Sequence, residues 1–214
     1  MRIACLHTAK SNIAVFAAAA ETLGVAPDSL RHEVRADLLT AAELAGGLTE
    51  DIRRSTVAAL VTLSENADVV LLTCSTLGPA VDDVATSVRV PILRTDEALA
   101  TAAVQAVGTV VVLCAVNTTL EPTSHLFHKA ALQTNAAIDV RLVPGAWALF
   151  KAGDHEGYLS AIAKAADRAY LEGASIVALG QASMSEAANR VVAGPPPLTS
   201  ATSGLKAALK AIEG

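Results

Sequence analysis

The segment "DVVLLTCSTLGPAV", residues 68–81, decides the fold. It opens as a short apolar run and stops at Thr73, Cys74, Ser75 and Thr76, with a Gly-Pro pair just beyond. A buried strand that empties into a turn of small side chains reads this way. "SIVALGQASMSEAA", residues 175–188, repeats the order: apolar strand, small-residue turn, helix start. "RIACLHTAKSN" (2–12) lies over "TVVVLCAVNTT" (109–119) in the same manner. Two related halves follow, and in the superposition Cys74 falls opposite Gln181 and Thr76 opposite Ser183. The turns after the strands point to the carboxyl ends of an open α/β sheet, where ligands bind.

Outward from these segments the alternation continues. The runs 2–7, 67–73, 108–114 and 174–180 read as buried strands, and 30–34, 90–93, 137–143 and 197–200 as weaker ones. Segments 11–23, 49–66, 95–107, 119–134, 154–172, 183–192 and 201–212 carry helical spacing. Regular alternation of strand and helix predicts α/β architecture: two pseudo-symmetric three-layer α/β/α halves, each with a mainly parallel four-stranded sheet, and an active site in the cleft between them. The "GPPP" break at 194–197 sends the last helix back to the first half. The halves are then 1–94 plus 197–214, and 95–196.

Composition agrees. Apolar residues make up 52% of the chain and aromatics 3%, so the core is built from Ala, Val, Leu and Ile. A net charge of -5 without a basic cluster argues against nucleic acid as a partner. No run reaches the roughly 18 apolar residues of a membrane span. Cys5, Cys74 and Cys114 form an odd set without CxxC spacing, which indicates neither a disulfide framework nor a zinc knuckle. The expectation is a soluble protein of the reducing cytoplasm, and the Ala-rich helices are compatible with a homodimer or higher homo-oligomer.

Cys74 has two readings. It is a small buried hydrophobe, as free cysteines usually are. Alternatively it is a pocket thiol, one residue beyond a strand and ahead of a helix whose N-H groups at Ser75, Thr76 and Leu77 would lower its pKa and attract a carboxylate. Cys5 and Cys114 read as core. His7 ends the first strand and is a candidate to activate the thiol or supply a second proton site; its alternative is a satisfied core histidine. Ser11, Asn117, Thr118 and Thr119 are expected as pocket hydroxyls and amides, or as helix caps.

The segment around Cys74 resembles the first cysteine motif of the aspartate/glutamate racemase superfamily, which includes hydantoin racemases, maleate isomerases and arylmalonate decarboxylases. "DEA" at 96–98 resembles the Glu-Ala of hydantoin racemases, and "VNTTLEP" at 116–122 the Thr-rich turn that opens the second half. The resemblance implies a cofactor-free carbanion mechanism. One thiolate takes a proton from a carbon beside a carboxylate, and a second thiol returns one from the other face. This chain departs from the pattern in "ALGQAS", residues 178–183, where Gln181 stands in the place of the second cysteine. The implied function is a cofactor-independent racemase or isomerase acting on a small amino-acid-like or hydantoin-like carboxylate. Cys74 is its acid/base, Ser75, Thr76, Thr118, Thr119 and Ser183 hold the carboxylate, and Gln181 and Ala182 sit at the same turn. Glu97 orients a polar substituent. A single-thiol decarboxylase or lyase, and a non-catalytic carboxylate-binding homologue, are the alternatives.

His125 and His128 with Glu121 share a helix face but read as solvated surface, as do Asp82 and Asp83. No metal or nucleotide signature is present in the sequence.

Overall fold

The computed structural model describes residues 1–213 apart from Ala85, Ser87 and Val107; the helical segment expected over 95–107 therefore ends on a residue outside the description. Among the described residues, eight strands form two all-parallel sheets. The first contains β1 (Ile3–His7), β2 (Leu30–Val34), β3 (Val69–Leu72) and β4 (Ile92–Arg94) in the order β2-β1-β3-β4. The second contains β5 (Thr109–Cys114), β6 (Ala137–Leu142), β7 (Ile176–Leu179) and β8 (Leu198–Thr199) in the order β6-β5-β7-β8.

The internal repeat holds at the level of register. Leu6 pairs with Leu72 and Leu113 with Leu179, so adding 107 to either residue of the first pair gives its counterpart in the second. The same step carries Cys74 to Gln181. β1, β3 and most of β5 and β7 are buried, and their near-continuous apolar runs are what a sheet covered on both faces requires.

The helices are α1 (Asn12–Thr22), α2 (Ala36–Ala45), α3 (Glu50–Ser64), α4 (Thr95–Ala103), α5 (Leu120–Ala131), α6 (Ala146–Lys151), α7 (His155–Leu171) and α8 (Ser200–Glu213). In the first half, Ala4, Leu6, Val70 and Leu72 face Leu38 and Ala42 of α2 and Ile52, Leu60 and Leu63 of α3. The opposite face carries Cys5 and His7, with Phe16 of α1 against the His7 ring. In the second half, Val111, Leu113, Val177 and Leu179 face α7, while Val110, Val112 and Ala178 face α4 and α5. The alternation of faces along each strand follows from its period of two.

The chain divides into Met1–Ala98 with Ala201–Gly214, and Leu99–Ser200. The division falls inside α4 and one residue into α8.

Two expected α-helices are something else. The chain after Cys74 makes a turn at 75–77 and then a 3₁₀ segment, Gly78–Asp83. Residues 182–190 are also 3₁₀. Gly78 and Pro79 are the poorest helix formers, and Ser and Asn, which occur at 183, 185 and 189, are weaker helix formers than Ala or Leu. In the other direction, α2 and α6 lie in stretches where no helix was expected. α2 ends on Gly46 at φ 75°, the left-handed conformation that favours glycine.

At the end of β7, a Cβ on Gly180 would lie 2.9 Å from the Leu113 carbonyl oxygen and 3.3 Å from Cys114 Sγ. Gly180→Ala is expected to lower stability by about 1–3 kcal/mol through backbone displacement, read as a reduced urea midpoint; an unchanged midpoint would contradict this packing.

Candidate active site

Thr73 continues β3 by donating its N-H to the Leu6 carbonyl at 3.1 Å. Cys74 follows, and its side chain joins the apolar cluster that includes Leu6, Leu72 and Leu77. Only 9% of the residue is exposed. The sulfur nevertheless sits among polar groups: it accepts hydrogen bonds from the Thr8 hydroxyl and from the N-H groups of Leu77 and Thr76. Burial is the largest influence and pushes the thiol above its ordinary value, with the Asp96 carboxylate pushing the same way. The three hydrogen bonds oppose them. The net direction is upward, so the thiol is protonated at neutral pH. No α-helix N-terminus stands behind it; the donors belong to a turn.

Asp96 is the buried acid of the "DEA" segment. It takes a bidentate pair from Arg94, Nε to Oδ1 at 3.0 Å and Nη2 to Oδ2 at 2.8 Å, and its Oδ1 also accepts the Glu97 N-H. The side chains of Arg94 and Asp96 are 9% and 4% exposed. Gly78 lies directly on this guanidinium, since a Cβ there would fall 2.4 Å from Nη2. The turn after Cys74 therefore packs against a neutralised buried ion pair. Glu97, the residue of this segment expected at a pocket, is exposed, and on the first turn of α4 its neighbour Asp96 is buried.

His7 is fully buried, and both ring nitrogens are occupied. The Thr73 hydroxyl donates to the Leu6 carbonyl at 3.0 Å, so it has no proton left for His7 Nδ1 at 2.9 Å. His7 Nδ1 is therefore the donor, His7 Nε2 the acceptor, and His32 Nδ1 carries the proton between those two nitrogens, 2.9 Å apart. Burial, then His32, lowers the His7 pKa to about 3. A neutral, fully bonded imidazole does not form an ion pair with a thiolate, and the proposed reaction below gives His7 no role.

In the second half the Gln181 carboxamide ties the repeat's turns together. Its Oε1 accepts the Ala115 N-H at 2.6 Å, and Nε2 donates to Thr119 Oγ1 at 3.0 Å. The Ala115 N-H can face only an oxygen, which fixes the amide's orientation. Thr119 donates in turn to the Val116 carbonyl at 2.6 Å. Ser183 bonds the Tyr158 hydroxyl at 2.8 Å, and Ala182 is buried. Ser75 and Thr76 are buried beside Cys74, whereas Ser11 and Asn117 are exposed and Thr118 is half-buried. His125, His128 and Glu121 are exposed, as are Asp82 and Asp83.

Three residues here were not anticipated: Thr8, Asp96 and Asn12. Asn12 is buried and its Oδ1 has no partner among the described residues. The repeat itself pointed to Thr8 and Asn12, because the same step of 107 links Thr8 to Ala115 and Asn12 to Thr119, the two partners of Gln181.

A duplicated, all-parallel α/β fold with a hydrogen-bonded thiol at a strand end defines the class to which the comparisons add a family. Residues 5–208 match the Asp/Glu/hydantoin racemase family, and the chain belongs to it. Racemases of this family are isomerases acting on amino acids and their derivatives. Similar solved structures include an aspartate racemase from Picrophilus torridus (13% identity, TM-score 0.73, 99% of this chain and 94% of that one). An allantoin racemase from Pseudomonas fluorescens is 19% identical with TM-score 0.69, covering 100% and 91% of the two chains. A glutamate racemase isoform from Bacillus anthracis is 13% identical with TM-score 0.70, covering 99% and 81%. At these identities the likeness is one of fold. No curated protein sequence matches significantly, and no helix among the described residues is long and apolar enough to cross a membrane.

Removing one partner of the buried pair leaves the other charge stranded, so Asp96→Ala is expected to cost about 3–5 kcal/mol. Asp37→Ala breaks the exposed pair with Arg35 and is expected to cost less than about 1 kcal/mol. Chemical denaturation of both variants checks the contrast; equal losses would contradict it.

Proposed function

We propose that the chain is a cofactor-independent isomerase of the racemase type that moves a proton at the carbon next to the carboxylate of a small amino-acid-like or hydantoin-like substrate, with Cys74 as the acid/base. The observation that carries this reading is the setting of the Cys74 sulfur. Thr8, Thr76 and Leu77 supply donors that stabilise a thiolate, while burial and Asp96 keep the proton in place. A group balanced in this way can both release and return a proton, which enolisation requires. Family membership supports the reaction class.

In the proposed step, the Cys74 thiolate takes the α-proton and becomes the thiol, and the C-H electron pair moves into the neighbouring carbonyl, giving an enediolate from a carboxylate or an enolate from an imide. Ser75 and Thr76 lie beside the sulfur and are assigned to the carboxylate; hydrogen bonds to the developing oxyanion lower the barrier. Asn12 Oδ1, a buried acceptor without a partner among the described residues, is assigned to a substrate N-H. Gln181 is assigned to orienting rather than to proton transfer. One Nε2 hydrogen remains beyond its bond to Thr119, but a carboxamide does not exchange protons usefully at neutral pH.

That last point favours a second reading. With one titrating group, an enediolate is protonated from a single face, as in a decarboxylase or lyase. Heavy water separates the two over a panel of amino acids, dicarboxylates and hydantoins. A racemase-type enzyme puts deuterium into remaining substrate, a lyase only into product, and Cys74→Ser abolishes either. Ligand-induced thermal shifts in both proteins without turnover of any compound would leave a binding protein and overturn the proposal.

The raised thiol pKa gives a pH signature. Below its pKa the thiolate fraction rises about tenfold per pH unit. If abstraction by Cys74 limits the rate, kcat/KM climbs from pH 7 to 9; if donation by the thiol limits it, kcat/KM is flat over that interval. Asn12→Ala is expected to raise KM by about tenfold with a smaller change in kcat, the pattern of lost substrate binding.

A further inference from the structure

On the sheet face opposite Cys74, Cys5, His7 and His32 bring one sulfur and two ring nitrogens within 4.8 Å of one another. We propose that these three side chains form a binding site for a borderline divalent metal ion of the Zn(II) class. Nothing in the proposed reaction uses them, so the site is independent of that reaction.

Strand geometry makes the cluster. Cys5 and His7 share a face of β1 through the two-residue period, and Cys5 pairs in register with His32 on β2. β2 is the outer strand of its sheet, and His32 is half-buried while Cys5 and His7 are fully buried. An ion therefore enters past His32, at the sheet edge. Tetrahedral Zn(II) with ligands at about 2.0–2.3 Å sets donor atoms about 3.3–3.8 Å apart. The His7 Nε2 to His32 Nδ1 separation of 2.9 Å needs only a small opening to reach that range.

The second observation is the state of His7. The Thr73 hydroxyl, committed to the Leu6 carbonyl, forces the proton onto Nδ1 and leaves the Nε2 lone pair facing the cluster. A ligating histidine characteristically donates its other ring N-H to an orienting acceptor, and here that support is built before any metal arrives. Tilted against Phe16, with ring centroids 5.1 Å apart, the imidazole is also held sterically. One thiolate and two imidazoles suit Zn(II) or Co(II) and disfavour hard ions such as Mg(II) or Ca(II). On binding, the Cys5 thiol releases its proton to solvent, and the His32 proton moves from Nδ1 to Nε2 by exchange with water at the exposed edge. The metal then has three protein ligands and a water in the fourth position.

The test uses the full chain, stripped with a chelator and titrated with Co(II) and, in competition with a chromophoric chelator, with Zn(II). Binding of one equivalent of Co(II) with a thiolate-to-cobalt charge-transfer band is expected, with loss of the band in Cys5→Ser. Because Cys5 is in the core, His32→Gln at the sheet edge provides a second variant whose folding is checked by circular dichroism. It is expected to weaken Zn(II) by more than about tenfold. The surface pair His125→Gln with His128→Gln is expected to leave affinity unchanged. Co(II) bound without the charge-transfer band, or Zn(II) affinity that follows the surface pair instead of His32, would overturn the site.

Discussion

The last rung between the two middle strands of each sheet determines where the chain leaves the sheet. In the first half it runs from the Thr73 N-H to the Leu6 carbonyl, in the second from the Gly180 N-H to the Leu113 carbonyl at 2.9 Å. The next residue, Cys74 or Gln181, is released from the ladder just beyond a carbonyl already satisfied. Backbone groups buried in a sheet must be paired, so this rung is as constrained as the core. The side chain on the rung then differentiates the halves. Thr73 adds a hydroxyl that reaches Leu6 and His7, whereas Gly180 has no room for any side chain.

Consequences spread from there to the sulfur. Cys74 is set where apolar packing from Leu6, Leu72 and Leu77 meets a turn rich in N-H and hydroxyl donors. Burial disfavours the thiolate, and donors favour it; burial dominates, helped by Asp96. Arg94 pairs with Asp96, so no bare charge stands beside the thiol, and Gly78 lets the turn close over the guanidinium. Gln181 plays the corresponding positional part with different chemistry. Its amide bridges the ends of two chain segments, bonding Ala115 and Thr119 as Cys74 bonds Thr8, but carries no proton to trade.

Most of the fold was legible in the linear chain because two fully covered sheets demand apolar strands at regular spacing, and those runs are conspicuous. The repeat was legible for the same reason, down to the register that places Gln181 opposite Cys74. Harder to read were the local conformations after each middle strand, where Gly-Pro and Ser-rich sequence gives 3₁₀ turns rather than the expected helices. α2 was missed although its ending on Gly46 is a usual stop signal. Within "DEA" the pattern singled out Glu97, whereas Asp96 is the buried acid, because the orientation of a helix's first turn depends on packing that a linear pattern does not contain. His7 depended on a partner 25 residues away, visible only once β1 and β2 are in register.

The central claim is that the Cys74 sulfur carries the transferable proton and holds it as a thiol at rest. An ultraviolet titration of thiolate absorbance, wild type minus Cys74→Ser, measures this directly. The account predicts a Cys74-dependent step above pH 9.0, the ordinary thiol value from which burial shifts it upward. A step at or below neutral pH would contradict it.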